Sequence, residues 1–65
     1  DNLNIEIRRF LKKVGIESQR VIEGHFHDAY KNNSLKIGDE VRLEMTLKID
    51  RLNLENIISG KIKLD

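Results

Sequence analysis

Near residue 40 the spacing of apolar residues changes from three-or-four to two, and that change restricts the chain to an α+β fold with helix first and sheet second. Before it, Leu3, Ile7, Phe10, Leu11 and Val14 mark one face of a helix, and Ile22, Phe26 and Ala29 mark another such face. After it, Val41, Leu43, Met45, Leu47 and Ile49 alternate with Arg42, Glu44, Thr46, Lys48 and Asp50. Ile58, Gly60, Ile62 and Leu64 alternate in the same way with Ser59, Lys61, Lys63 and Asp65. A period of two is the mark of a half-buried strand.

The local signals divide the helical part in two. A first helix over residues 3–14 has Asp1, Asn2 or Asn4 as candidate caps, with Lys12 and Lys13 in its last turn, where cations suit the helix dipole. Gly15 then supplies the left-handed residue that commonly ends a helix. Ser18 is a suitable N-cap for a second helix over residues 19–32, whose inner residues are flanked by Val21, His25 and Tyr30. Gly24 falls inside this helix, and Asn32, Asn33 and Ser34 end it. Leu3, Ile5 and Ile7 also alternate as a strand would; on a helix, Ile5 lies off the stripe and faces solvent or a partner.

Gly38-Asp39 signals a turn into strands over residues 40–50 and 57–65. If Leu52-Asn53-Leu54-Glu55 is a four-residue hairpin loop, Ile49 meets Ile58, Leu47 meets Gly60, Met45 meets Ile62 and Leu43 meets Leu64. The same register opposes Glu44 to Lys63 and Arg42 to Asp65, and opposite charges facing across strands are favourable. A slip of one residue would set apolar against polar throughout. The expected architecture is therefore α+β, with two N-terminal helices packed on one face of a C-terminal antiparallel β-hairpin.

A chain of 65 residues holds one domain at most, and one with little surface to bury. Domains this small usually need a staple, and with no cysteine neither a disulfide nor a thiolate metal site is available. The remaining staple is a second subunit. A two-stranded sheet also leaves two unpaired edges, so we expect a homodimer in which the sheet extends across copies. Absence of cysteine fits a reducing compartment, hence a cytoplasmic location. No apolar run approaches the roughly 18 residues of a membrane span, and no secretion leader is evident. The chain opens at Asp1 rather than methionine, which leaves room for residues upstream.

Candidate chemistry is sparse. His25 and His27 would share a face on a strand, but on a helix they point about 200° apart. Glu23 and His27 are one turn apart, yet two ligands fall short of a zinc site. Ser18 has no base at a recognisable spacing, the carboxylates are scattered, and the four glycines are isolated. We therefore expect no enzyme activity, no catalytic or metal-binding residues and no cofactor. The favoured reading is a non-enzymatic interaction module with an unidentified protein partner, in which Ile5, Leu52 and Leu54 are candidate surface contacts. For Leu52 and Leu54 the competing role is to close the hairpin end of the core.

The alternative is a small winged-helix-like DNA-binding protein. Helix, Gly15-Ile16 turn, Ser18 cap and second helix resemble a helix-turn-helix, with the hairpin as wing. Residues 19–31 would then carry Gln19 and Arg20 to base edges, while Lys31, Arg8, Arg9, Lys12 and Lys13 met phosphates. Against this stand Leu11 where a small residue is usual, Glu23 and Asp28 on the reading face, and two helices where winged helices have three. With 12 Lys and Arg against 11 Asp and Glu, the net charge of +1 leaves no electrostatic footprint for nucleic acid.

The run from Ile7 to Ile16, IRRFLKKVGI, followed by Ser18-Gln19 and Ile22-Glu23, resembles the opening of a family of very short bacterial proteins known only as a domain of unknown function. Leu54-Glu55 and Gly60-Lys61-Ile62 are similar to the closing strand of its members, whereas the middle, from Gly24 to Lys36, resembles them least. The resemblance implies a small bacterial cytosolic protein without an assigned activity, and carries no site residues with it.

Overall fold

The computed structural model describes residues 1–65, which form two compact units, Asp1–Leu35 and Lys36–Asp65. In the first, one helix, α1, runs unbroken from Asn2 to Lys31. The Asp1 side chain caps it, accepting a hydrogen bond from the Asn4 N–H at 2.8 Å. Thirty residues at 1.5 Å each give a rod about 45 Å long.

The two-helix expectation is thus corrected: there is one helix, and neither Gly15 nor Ser18 ends or starts anything. The stop signal at Gly15 is weak in energy. A glycine inside a helix costs about 1 kcal/mol, less than the hydrogen bonds lost to a break. No proline forces the issue. Moreover, the two stripes are in phase. Leu3, Val14 and His25 stand 11 residues apart, as do Ile7, Ser18 and Ala29, Phe10 and Val21, and Leu11 and Ile22. Eleven residues make just over three whole turns, so these rows drift by only about 20° per repeat and form one continuous face.

The helix ends where expected, by a different device. Asn33 takes the left-handed conformation, φ 65°, that glycine more often supplies. The N–H groups of Ser34 and Leu35 both donate to the Ala29 carbonyl, at 2.9 and 3.2 Å, and Asn32 Oδ1 accepts from the Ser34 N–H at 2.9 Å.

The second unit is an antiparallel hairpin of β1, Glu40–Ile49, and β2, Leu54–Lys63. A turn over Lys36–Asp39 leads in, with Gly38 at φ 97° and Asp39 Oδ2 accepting from the Lys36 N–H at 2.9 Å. Backbone pairing continues past the strands: the Gly38 N–H donates to the Leu64 carbonyl at 2.7 Å and the Leu64 N–H to the Asp39 carbonyl at 2.9 Å. Leu64, 6% exposed, is the one buried residue of the chain.

The strands pair Glu40 with Lys63, Val41 with Ile62, Leu43 with Gly60, Met45 with Ile58, Leu47 with Asn56 and Ile49 with Leu54. The expected alternation holds, and the same residues share each face. The expected partners do not: Met45 meets Ile58 rather than Ile62, and Glu44 meets Ser59 rather than Lys63. The reason is the loop. It is formed by a 3-10 turn over Asp50–Leu52 closed by Asn53 in the left-handed region, φ 49° and ψ 38°. Asparagine tolerates that conformation, and placing it last in the loop draws β2 back to begin at Leu54.

Candidate interaction surface

The long helix sorts its side chains into rows. Its apolar face runs from Leu3 through Ile7, Phe10, Leu11 and Val14 to Ile22, Phe26 and Ala29, with Ser18 as a polar break. Exposure along it is uneven. Val14, Ser18, Ile22, Phe26 and Ala29 are half-buried, whereas Leu3 is 70%, Phe10 54%, Leu11 57% and Val21 58% exposed. The first three turns of α1 therefore hold a bare apolar cluster, and leaving one exposed is costly.

Charge lines both margins of this cluster. Glu6, Glu17 and Asp28, again 11 apart, form an acidic row along one margin. Arg8 and Lys12 lie along the other margin of the same N-terminal turns, continued by Gln19 and Tyr30. The far side of the helix carries Arg9, Arg20 and Lys31, a basic row with the same spacing. There Arg9, Lys12, Lys13, Ile16, Glu17 and Arg20 line a shallow, open depression.

The residues singled out from sequence fall in separate places. Ile5 lies off the stripe, exposed, on the side that also carries exposed Ile16. Leu52 is 71% exposed in the hairpin loop, and Leu54 stands opposite Ile49 on the apolar face of the sheet. Gln19, Arg20, Lys31, Arg8, Arg9, Lys12 and Lys13 are all exposed on α1, but they spread over several faces. Acidic groups interrupt them: Arg9 is ion-paired to Glu6, and the Gln19 amide donates to Glu23 at 3.3 Å. The Gly15-Ile16 turn on which a helix-turn-helix depends is not formed, because both residues are helical.

His25 and His27 sit on different faces of α1, and no group of three or more His, Cys, Asp or Glu side chains converges to hold a metal ion. No helix is long and apolar enough to cross a membrane. Phe10, Leu11 and Val21 are the residues whose position sequence reasoning missed. Periodicity gives Phe10 and Leu11 to the apolar stripe and Val21 to the flank of an inward face, and all three are exposed. The 11-residue recurrence of apolar, acidic and basic positions was the available signal.

The model of a family of unknown function, DUF6494, matches residues 1–65. No curated protein and no solved structure matches the chain.

Proposed function

Because the chain belongs to that family, which has no assigned activity, we propose from its surfaces that it is a non-enzymatic interaction module acting as a homodimer. The observation that carries this reading is the row of large apolar side chains left exposed on the N-terminal turns of α1: Leu3, Ile7, Phe10 and Leu11 are 47–70% exposed. Contiguous apolar surface of this kind marks sites of protein–protein contact.

The hairpin supports the same reading. Each strand has one unpaired edge, and two strands alone are marginal in water. Pairing between copies would extend the sheet and remove one edge from each. Size-exclusion chromatography with light scattering tests the proposal. At tens of micromolar the expected mass is twice 7.6 kDa, and a monomer there would overturn it. A duplex-DNA shift assay at 50 mM salt serves as the counter-test; binding that weakens steeply with added salt would favour nucleic acid as the partner instead.

A further inference from the structure

We infer that the two copies join edge to edge through β1, antiparallel about a two-fold axis at Thr46, giving one continuous sheet in the order β2-β1-β1-β2. The inference rests on the homodimer reading and adds which edge pairs and in which register.

The choice of edge comes from the hairpin ladder. One step beyond the Glu40–Lys63 pair, the Leu64 N–H donates to the Asp39 carbonyl. Odd-numbered residues of β1 therefore turn their backbone groups toward β2, and Glu40, Arg42, Glu44, Thr46 and Lys48 turn theirs outward to an edge with no strand beside it. Proteins blunt such an edge with a bulge, a proline or an inward-pointing charge. β1 has none of these. Its ladder is unbroken from Glu40 to Ile49, the chain has no proline, and Val41, Leu43, Met45, Leu47 and Ile49 fill its apolar face. In β2 the same face is interrupted by Asn56 and Gly60, and every antiparallel self-pairing of β2 brings one or both into the seam.

The register comes from charge. A two-fold pair of identical antiparallel strands is centred on one residue, and centres near either end join only a few residues. Centring on Arg42 or Glu44 sets that residue against itself, on Met45 sets Arg42 against Lys48, and on Leu47 sets Glu44 against Asp50. Like charges so opposed are unfavourable. Centring on Leu43 opposes Arg42 to Glu44 but leaves Glu40 against Thr46. Centring on Thr46 opposes Glu44 to Lys48 and Thr46 to itself, and on the other face Leu43 meets Ile49 and Met45 meets Leu47. Every pair from Leu43 to Ile49 is then matched in kind. Within its own copy Arg42 faces Lys61 and Lys48 faces Glu55. On their other side this register places Asp50 of the second copy opposite Arg42 and Glu44 of the second copy opposite Lys48, while Glu40 lies past the paired segment.

The chain has no cysteine, so one introduced thiol reports its own position. Thr46→Cys, Leu43→Cys, Ile58→Cys and Glu40→Cys are made separately and oxidised in a glutathione buffer. Only a residue on the two-fold axis faces its own copy, at a Cα separation of about 5.5 Å that a disulfide spans. Thr46→Cys should therefore give a linked dimer at about tenfold or more the yield of Glu40→Cys, on the same strand and face. Stronger linking at Leu43→Cys would overturn the register, and stronger linking at Ile58→Cys would move the contact to β2. A dimer by light scattering in which no variant links above Glu40→Cys would overturn the edge while leaving the dimer standing. A monomer would overturn the dimer reading itself. Charge gives an independent test. Glu44→Lys and Lys48→Glu, each alone, set like charges across the seam and should weaken association about tenfold. An equal mixture of the two variants opposes Lys to Glu at both places and should recover it as a heterodimer. Failure to recover on mixing would overturn the register.

Discussion

Arg42 and Lys61 stand opposite one another on the polar face of the hairpin, two like charges in directly paired positions. Each has a nearby carboxylate: Arg42 contacts Glu44 at 3.1 Å and Lys61 contacts Glu40 at 3.6 Å. These ion pairs are exposed and contribute little, whereas like charges directly opposed are unfavourable. Lys61→Thr removes the repulsion and installs a good strand former. We expect a gain of about 0.5 kcal/mol, read as a rise of a few degrees in melting temperature. The gain should shrink in high salt, and a lower melting temperature would mean that the Glu40 contact outweighs the repulsion.

Asn53 tests the hairpin loop. Its positive φ suits asparagine or glycine and not a branched side chain. Asn53→Gly should be close to neutral, while Asn53→Val should cost about 1–2 kcal/mol in chemical unfolding. Equal stability of the two variants would argue that the loop closes elsewhere.

Gly15 separates one helix from two. Inside a continuous helix, with nothing within 4 Å of an added Cβ, Gly15→Ala should stabilise the protein by about 1 kcal/mol and raise its helicity. If Gly15 ended a helix in the left-handed conformation, the same change would destabilise it. Circular dichroism during thermal unfolding reads the sign directly.

The caps give a matched pair of variants. Asp1→Ala removes the carboxylate that accepts from the Asn4 N–H and should cost about 1 kcal/mol. Ser18→Ala replaces a mid-helix serine with the best helix former and should cost nothing or stabilise slightly. A loss at Ser18 as large as that at Asp1 would restore a helix start at Ser18.

The faces of the sheet were readable because a period of two leaves no choice of side. The partners were not, because a shift that preserves the faces changes only the loop. That shift was decided by one residue able to adopt positive φ, Asn53, at the last position of the turn. The helix was misread for the opposite reason. Gly15 and Ser18 are sound local stop and start signals, yet Ile7, Ser18 and Ala29 keep one phase across them, and a face held over 30 residues outweighs a glycine. For the candidate surface, periodicity says that Phe10 and Leu11 need cover but not what covers them. Ile5, Leu52 and Leu54 stood out as misfits to the pattern, whereas the bare cluster consists of residues that fit it.

The 11-residue spacing also makes α1 a ruler. Duplicating residues 14–24 would lengthen the rod by about 16 Å while turning the rest of the helix by only about 20°. An insertion of five residues would swing everything beyond it by about 140° and carry the greasy side round the axis. Any natural or built variant of this protein that changes reach while retaining its attachments should therefore grow or shrink in steps of eleven.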